Sequence, residues 1–435
     1  MQHCIDPIPL GRRGSAMTEA IARCVHCGFC LPVCPTYQEM GEEMDSPRGR
    51  IFLMKEVLEG HLDASEARPY VDRCLGCLAC EPACPSGVGY RDLLHGFREQ
   101  TRESGSRPRL DRLRHRAVHT VLPSPRLFRL ALRAARAFGF TRRALPLAWR
   151  PLIDMAHSLP WPLPAAEPLP EHIECEGPRR SRVGLMTGCV QEALAPEITR
   201  AAIRVLTRNG VEVVVPRGQG CCGSLALHDG EAERARRLAR GNFAAFPSDL
   251  DAILVTAAGC GSGISEYSAL FDGEAGFEAA SRFSEKAIDV AAFLDDLGLV
   301  DVPPLTEPLR LAYQGACHLE QAQGVVEQPR RLLRQIEGLD LVGLQDGERC
   351  CGSAGTYNLD QPRLAADLGR SKAEAVIASG ADLVASGNVG CLVQIRMHLE
   401  ELGSSVPVQH TVEVLDLAYR GELRRLGRRP ALGRG

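Results

Sequence analysis

Lysine, aromatic residues and long hydrophobic runs are all scarce in this chain. Only three of its 51 basic residues are lysines, and aromatic residues make up 5% of the 435 positions. No apolar run reaches the ~18 residues that a membrane-spanning helix needs, and no apolar stretch typical of a secretory signal follows the first arginines. These absences exclude an integral membrane protein and predict a cytoplasmic one. A formal charge of −3 with so few aromatic residues also argues against nucleic acid binding.

Cysteine, in contrast, is abundant, with 18 residues. Because cytoplasmic thiols stay reduced, a cysteine-rich chain in that compartment indicates bound metal rather than disulfides. Eight cysteines lie within residues 24–84, and eight more form two similar sets within residues 189–391. The cysteines therefore divide the chain into a small N-terminal region and a larger C-terminal one.

Two matched motifs in the N-terminal region predict iron–sulfur clusters. In each motif, two residues separate the first three cysteines from one another, three residues separate the third from the fourth, and a proline follows. The cysteines are Cys24, Cys27, Cys30 and Cys34 in the first motif, and Cys74, Cys77, Cys80 and Cys84 in the second. In two-cluster proteins with this spacing, the fourth cysteine ligates the other cluster. We therefore expect two [4Fe–4S] clusters, one bound by Cys24, Cys27, Cys30 and Cys84 and the other by Cys74, Cys77, Cys80 and Cys34. Zinc is the weaker alternative, because zinc sites usually use paired two-cysteine arms.

The segment between these motifs is predicted to contain a helix. Ser46 can cap it with Pro47 at the first position, and apolar residues follow at helical spacing over residues 51–58. This pattern favours a helical type of ferredoxin domain. For Arg48 and Arg50 we expect a solvated helix start, and an effect on a cluster's potential is the alternative.

The C-terminal region is an internal repeat. Three motifs recur at offsets of 128, 129 and 131 residues, which pair Cys189 with Cys317, Cys221-Cys222-Gly223-Ser224 with Cys350-Cys351-Gly352-Ser353, and Cys260 with Cys391. A nearly constant offset indicates a duplicated unit. In each copy short apolar strands alternate with helices, which implies a parallel sheet with helical crossovers. The cysteines follow the predicted strands, at the edge where open parallel sheets build their sites.

The predicted fold class is therefore a multidomain α+β protein, in which an α-helical ferredoxin domain precedes a duplicated α/β parallel-sheet Cys-Cys-Gly domain. The expected boundaries are 17–106 for the ferredoxin domain with its two [4Fe–4S] motifs, 107–180 for a basic helical segment and Pro-rich linker, 181–300 for the first Cys-Cys-Gly repeat and 308–421 for the second.

The basic segment contains twelve arginines and one acid within residues 107–150, a local charge of +11. It could rest on anionic lipid at the inner face of the cytoplasmic membrane, dock an acidic partner subunit, or be ordinary helical packing. A membrane-surface role needs large apolar anchors, for which the candidates are Phe128, Phe138, Phe140 and Trp149.

Each repeat offers four thiols as metal ligands: Cys189, Cys221, Cys222 and Cys260 in the first, and Cys317, Cys350, Cys351 and Cys391 in the second. Four thiolates suffice for a further iron–sulfur cluster or a zinc ion, and buried reduced thiols are the alternative. His318 and His410 could tune such a site or relay protons, although a hydrogen-bonded structural histidine is the preferred interpretation of each.

These motifs resemble a known family. Paired helical ferredoxin motifs followed by two Cys-Cys-Gly repeats are similar to the heterodisulfide-reductase-like iron–sulfur subunits. Residues 24–30 (CVHCGFC), 35–37 (PTY) and 45–51 (DSPRGRI) most resemble the glycolate oxidase (glycolate dehydrogenase) iron–sulfur subunits within it. In its fullest pattern the family has a further cysteine three positions after the last one. Gly263 and Gln394 stand there, so a five-thiolate cluster is not expected.

The resemblance implies an electron-transfer subunit that takes electrons from FAD-containing glycolate oxidase subunits, where glycolate becomes glyoxylate, and passes them toward quinone. No residue of this chain is expected to be catalytic, because none is a convincing acid, base or hydride acceptor. The alternatives are the iron–sulfur subunit of a lactate or glycerol-3-phosphate dehydrogenase, a thiol–disulfide reductase, and a zinc-stabilised scaffold.

Overall fold

The computed structural model of the protein describes residues 1–103, 109–137, 139, 150–164, 167–345 and 349–426. Helices dominate the N-terminal part, and two sheets with packed helices form the rest. This arrangement confirms the predicted fold class. Within the described ranges, no helix is long and apolar enough to cross a membrane.

The N-terminal unit is entirely helical over its described residues. A 3-10 turn at Ile8–Arg13 is followed by α1 (Gly14–Arg23), α2 (Pro35–Met40), a second 3-10 turn at Glu43–Asp45, α3 (Pro47–Leu58), α4 (Ala64–Asp72) and α5 (Tyr90–Glu103). The predicted cap is present, since Ser46 Oγ accepts the amide hydrogen of Gly49 at 2.9 Å. The expected domain start at residue 17 lies within α1, which begins at Gly14. Both cysteine motifs lie in loops, the first between α1 and α2 and the second between α4 and α5.

Three helices follow: α6 (Arg109–Val121), α7 (Pro125–Ala137) and α8 (Arg150–Ser158). Phe128 and Leu132 of α7 are buried in the core of the Cys-Cys-Gly repeats, and Leu159 and Leu163 join the same core. The segment expected to be a linker therefore packs as part of the repeat domain. Phe128 is not available as a membrane anchor, which corrects that expectation. The other three candidate anchors, Phe138, Phe140 and Trp149, lie outside the described residues.

The first repeat is a five-stranded sheet with flanking helices. Its elements are β1 (His172–Ile173), β2 (Ser181–Met186), α9 (Cys189–Leu194), α10 (Glu197–Arg208), β3 (Val211–Val214), α11 (Ser224–His228), α12 (Ala232–Ala245), β4 (Ala252–Val255), α13 (Ala258–Ser265), α14 (Tyr267–Leu270), α15 (Phe277–Lys286), β5 (Ala287–Asp289) and α16 (Val290–Leu297). The strand order is β1-β3-β2-β4-β5, with β1 antiparallel and the others parallel.

The second repeat has a four-stranded, fully parallel sheet of order β7-β6-β8-β9. Its elements are β6 (Leu309–Gln314), α17 (Cys317–Gln323), α18 (Gln328–Arg334), β7 (Leu339–Val342), α19 (Tyr357–Asp360), α20 (Pro362–Ser379), β8 (Leu383–Ser386), α21 (Val389–Glu401), β9 (Val408–His410), α22 (Thr411–Tyr419) and α23 (Leu423–Leu426). The two sheets share one core, in which Leu185 and Leu254 pack in the same cluster as Leu311 and Val384.

Each repeat contains a short strand that the sequence did not predict. Ala287–Asp289 and Val408–His410 form the last parallel strand of their sheets. Three residues are too few to show a strand periodicity. Asp289 also caps the helix that follows, α16, because its side chain accepts the amide hydrogen of Ala291 at 2.8 Å.

Candidate metal centres

The two ferredoxin-type loops share an unusual backbone conformation. Residues 50 positions apart have positive φ: His26 (58°) matches Gly76 (64°), and Gly28 (87°) matches Leu78 (63°). Positive φ is uncommon for non-glycine residues, so its recurrence at matched positions shows that both loops curl in the same way. The amide of Gly76 donates to the sulfur of Cys74 at 3.4 Å. Such amide-to-sulfur contacts are typical of iron–sulfur sites.

Thiols from the two loops lie close to one another. Burial raises the pKa of Cys24, and the nearby thiols of Cys84 and Cys27 add to the effect. Burial likewise raises the pKa of Cys77 and Cys80 well above the usual value, with a further contribution from Cys34. A small cavity is lined by Cys24, Cys27, Cys30, Cys80 and Cys84. Several thiols so close together fit ligation of a metal cluster, because a bound metal would stabilise the thiolates that burial alone disfavours.

The second loop has a buried guanidinium beside it. The Arg50 side chain is 0% exposed, its Nη2 donates to Asp45 Oδ1 at 3.2 Å, and its Nη1 lies 3.9 Å from the sulfur of Cys34. The expectation of a solvated helix start is therefore wrong for Arg50. Arg48 is partly exposed, donates to the carbonyl oxygen of His26 at 3.1 Å, and pairs with Glu43.

Within each Cys-Cys-Gly repeat the four thiols form one contiguous group. Cys221 contacts Cys189 and Cys222, and Cys222 contacts Cys260. The second repeat has the same pattern: the sulfur of Cys317 lies 3.9 Å from that of Cys350, Cys351 adjoins Cys350, and Cys351 contacts Cys391. All eight follow the carboxyl ends of strands, as the sequence predicted.

One thiol of each adjacent pair is poised to be the thiolate. Hydrogen bonds from Cys221 and Cys260 lower the pKa of Cys222 well below its usual value. In the second repeat, hydrogen bonds from Cys317 and Cys351 have the same effect on Cys350. Because the thiolate is the metal-binding form of cysteine, both groups are chemically suited to hold a metal centre.

A single cavity of about 560 Å³ connects the two groups. It is lined by seven of the cysteines, namely Cys74, Cys189, Cys221, Cys222, Cys260, Cys317 and Cys391. The remaining lining includes three histidines, His115, His228 and His318. The two repeats therefore present their thiols to one shared space, next to the second ferredoxin-type loop.

That loop is joined directly to the second repeat. His318 forms a 2.9 Å hydrogen bond to the carbonyl oxygen of Gly76, and Tyr357 donates to that of Arg73 at 2.8 Å. The Cys350 thiol is close enough to Cys77 to raise the pKa of Cys77, secondary to burial. The second ferredoxin-type loop thus lies between the first loop and the second repeat.

Neither repeat has a fifth thiol, and the first has no room for one. A Cβ atom at Gly263 would lie 2.0 Å from Ser224 Oγ, and that hydroxyl lies 3.1 Å from the sulfur of Cys222. In the second repeat Gln394 is buried and donates to the carbonyl oxygen of Ala365 at 2.9 Å. The serine hydroxyl therefore occupies space that a side chain at position 263 would need.

His318 and His410 are structural, in line with the preferred interpretation. His410 contacts the carbonyl oxygen of Thr256 at 2.8 Å and accepts the amide hydrogen of Val412 at 3.2 Å, so it joins the two repeats. Burial lowers the pKa of both histidines to about 4.

Sequence reasoning missed two buried histidine–carboxylate clusters. One is formed by His95, His228 and Glu266, and the other by His115, His119 and Asp229. The four-residue spacing of His115 and His119 was a visible signal, but their carboxylate partner lies more than 100 residues away in the chain.

Comparison with known proteins agrees with this architecture. The family model described as "4Fe-4S dicluster domain" matches residues 20–88, and that described as "Cysteine-rich domain" matches residues 183–265 and 311–396. The chain is 35% identical over 418 residues to the "Probable glycolate oxidase iron-sulfur subunit" of Bacillus subtilis (strain 168), covering 91% of this chain and 93% of the relative. It is 34% identical over 406 residues to the "Glycolate oxidase iron-sulfur subunit" of Escherichia coli (strain K12), covering 92% and 94%.

A shorter relative aligns with only part of the chain. "Lactate utilization protein A" of Oceanobacillus iheyensis is 28% identical over 242 residues, 55% of this chain and 98% of the relative. The two full-length relatives cover both the ferredoxin-type domain and both repeats. These matches confirm an electron-transfer role that uses iron–sulfur clusters, and the chain belongs to the family of glycolate oxidase iron–sulfur subunits.

Proposed function

We propose that this chain is the electron-transfer subunit of a flavin-dependent glycolate dehydrogenase. FAD-containing partner subunits oxidise glycolate to glyoxylate, and this subunit conveys the electrons toward quinone. The observation that carries the proposal is the spatial order of the thiol groups. The first ferredoxin-type loop lies at the surface, the second is packed against the second repeat, and the repeats share one cavity.

The surface of the first loop is suited to receive a partner. Cys27 is exposed, and the apolar side chains of Val25 and Phe29 on either side of it are 66% and 63% exposed. Neighbouring exposed apolar side chains often mark a protein interface. None of the four cysteines assigned to the other cluster, Cys34, Cys74, Cys77 and Cys80, is exposed. We therefore place the flavin subunit against the first loop.

The residues that would hold the clusters are those expected from the spacing of the two motifs. Cys24, Cys27, Cys30 and Cys84 would hold one [4Fe–4S] cluster, and Cys74, Cys77, Cys80 and Cys34 the other. The thiol groups of the repeats would hold a further iron–sulfur cluster or zinc. Bound clusters would supply one-electron carriers at these positions. The chain itself supplies thiolates, amide donors, a buried cation at Arg50 and exclusion of water.

The basic helix α7 supports contact with a membrane surface near the quinone. Its buried face carries Phe128 and Leu132, whereas Leu127 and Leu130 point outward among arginines. Exposed leucines flanked by cationic side chains suit anionic lipid. We place the complex at the inner face of the cytoplasmic membrane, with α7 toward the lipid.

The proposal is tested by reconstitution with the flavin subunits. The isolated chain should not oxidise glycolate with an artificial dye, whereas the mixture should pass electrons from glycolate to a quinone analogue. A V25D/F29D double variant should raise the subunit concentration needed for half-maximal rate by about tenfold, a binding cost of about 1.4 kcal/mol.

The matched control is I377E, which places a charge at an exposed apolar position on α20. It should leave the rate and the half-maximal concentration unchanged. Glycolate turnover by this chain alone, or equal loss in both variants, would contradict the proposed division of labour. A parallel assay with D-lactate separates glycolate from the related hydroxy acid.

A further inference from the structure

We propose that His115, His119 and Asp229 form a binding site for a divalent transition-metal ion, with Zn²⁺ best suited to it. The site lies where α6 meets the end of α11, outside both sets of cysteines. His119 Nε2 is 2.8 Å from Asp229 Oδ2, and His115 Nδ1 is 3.6 Å from the same oxygen. All three potential ligand atoms lie within 4.8 Å of one another.

The donor set and its spacing fit zinc. Two imidazole nitrogens and a carboxylate oxygen are ordinary zinc ligands, and at metal–ligand distances of 2.0–2.1 Å the donors of a tetrahedral site lie about 3.3 Å apart. The two distances to Asp229 fall on either side of that value. His115 and His119 are four residues apart on α6, so one helical turn brings both rings to the same face.

The surroundings match those of an established metal site. His115 Nε2 lies 3.7 Å from Asp360 Oδ1, on the side of the ring away from Asp229. A ligating histidine commonly directs its second ring nitrogen at a carboxylate, which fixes the orientation of the ring. Asp360 is itself held by Arg114 at 2.5 Å. Thus a carboxylate is in place behind the proposed ligand.

Burial and access are both consistent with a bound ion. The His115 and His119 side chains are only 4% and 1% exposed. Burial opposes the negative charge of Asp229, yet the hydrogen bond with His119 and the nearby ring of His115 outweigh it and hold the pKa of the carboxyl well below its usual range. His115, Asp229 and Asp360 line the thiol cavity, which provides an entry path and room for a water as the fourth ligand.

Two other histidine–carboxylate clusters are less suitable. In the first, the imidazoles of His95 and His228 are stacked at 4.9 Å, and Arg13 lies 3.5 Å from the Glu266 carboxylate and already balances its charge. In the second, His61 is exposed, and Lys55 already pairs with both half-buried glutamates, Glu56 and Glu59. The site at Asp229 joins α6 to the end of α11 beside the cavity.

The experiment measures zinc in the full-length protein, purified anaerobically with its clusters from zinc-supplemented cells. We expect one zinc per chain by elemental analysis, and zinc-edge X-ray absorption should show nitrogen and oxygen neighbours at 2.0–2.1 Å. The H119Q variant keeps a hydrogen-bond donor for Asp229 but lacks the imidazole, and should lose the zinc while its iron content stays unchanged. D360N should weaken zinc binding by about 10–100-fold, the usual effect of losing a carboxylate behind a ligand.

Two controls make the result decisive. H61A removes the exposed histidine of the cluster with Glu56 and Glu59, and C351S removes a thiol from the second repeat, and neither should change the nitrogen- and oxygen-bound zinc. Absence of zinc from the wild-type protein would overturn the proposal and leave a plain histidine–aspartate contact. Zinc with sulfur neighbours near 2.3 Å, lost in C351S but kept in H119Q, would overturn it as well.

Discussion

The Nη1 atom of Arg50 lies 3.9 Å from the sulfur of Cys34 inside the ferredoxin-type domain. The arginine also pairs with Asp45, and Arg73 donates to the same carboxylate oxygen at 2.8 Å. Burial disfavours the charge on Arg50, but the nearby Cys74, Tyr90 and Cys34 outweigh it and raise the pKa of the guanidinium. A permanent positive charge therefore lies next to two of the proposed cluster ligands.

The first prediction is that R50Q lowers the reduction potential of the cluster assigned to Cys34, Cys74, Cys77 and Cys80. A buried cation stabilises the reduced, more negative state of a cluster. For unit charges ~6 Å apart at an effective dielectric constant of 20, the loss is about 3 kcal/mol, on the order of 100 mV. A redox titration followed by EPR measures it.

R48Q is the matched control, because Arg48 contacts the backbone at His26 in the other loop. R48Q should leave the reduction potential of the cluster assigned to Cys34, Cys74, Cys77 and Cys80 unchanged, and any effect should be on the other cluster. Arg73 remains to pair with Asp45 in R50Q, so the fold should persist. Two unchanged midpoint potentials in R50Q would show that the arginine serves packing alone.

The second prediction concerns the crossed ligation. The protein should contain about eight iron atoms from its two ferredoxin motifs, four per cluster. C84S should perturb the same EPR signal as C27S, and C34S the same signal as C77S. If C84S instead matched C77S, each motif would bind its own cluster, and two irons or fewer per chain would refute the iron–sulfur assignment of the motifs.

The third prediction is that electrons leave the ferredoxin-type domain through the Cys-Cys-Gly repeats. C351S should leave both ferredoxin-type clusters spectroscopically intact and slow quinone reduction by about tenfold or more, a barrier increase of 1.4 kcal/mol. C222S should have the smaller effect, because the second ferredoxin-type loop contacts the second repeat through His318 and Tyr357. Full quinone activity and iron content in both variants would mean that the repeats are structural.

Local patterns in the sequence were sufficient to predict much of this architecture. The cap at Ser46 and the order of strands and helices both depend on residues near one another in the chain. Duplication with a constant offset indicated the paired sheets, and the loop spacing indicated the clusters. Interactions that join distant residues could not be predicted in this way.

Arg50 shows why. Its position at a helix start suggests exposure, and only the fold brings Asp45, Tyr70 and Cys34 around it. The histidine–carboxylate clusters have the same origin, since Asp229 and Glu266 reach their histidines across domain contacts. The basic segment packs onto the repeats through Phe128 and Leu132. The many arginines around these two residues made their burial difficult to predict from the sequence.

The fourth prediction is that acid weakens the joint between the repeats through His410. The neutral ring is fully used, because Nε2–H can donate to Thr256 while Nδ1 accepts from Val412. Burial lowers the pKa of His410 to about 4, against about 6.5 in an unfolded chain. The unfolded state therefore takes up a proton first, and stability is complete above pH 6.5 and lost as the pH falls toward 4.

Urea unfolding between pH 7.5 and 4.5 measures this loss, which amounts to about 1.4 kcal/mol for each unit of pKa shift. H410N should be less stable at pH 7.5 but should show a shallower loss on acidification. H61A removes an exposed histidine and serves as the control. Equal pH dependence in H410N and the wild-type protein would assign the acid sensitivity to other groups.

The last prediction concerns Gly263, which stands where the family's fullest pattern has a fifth cysteine. A side chain at Gly263 would meet Ser224 Oγ at 2.0 Å, Ser224 Cβ at 2.4 Å and Ser224 Cα at 2.9 Å. G263A should therefore displace the serine and its contact with Cys222, at a cost of about 1–3 kcal/mol for overpacking. Adding S224G removes the opposing side chain and should restore most of that stability, so the double variant should melt closer to the wild-type protein than G263A does. A matched G259A change, with its nearest described neighbour 3.9 Å away, should be tolerated far better. Equal stability of G263A and G259A, or no rescue by S224G, would contradict this prediction. The Ser224 side chain would then not be what prevents a larger residue at position 263, and steric exclusion would not explain why the first repeat has only four thiols.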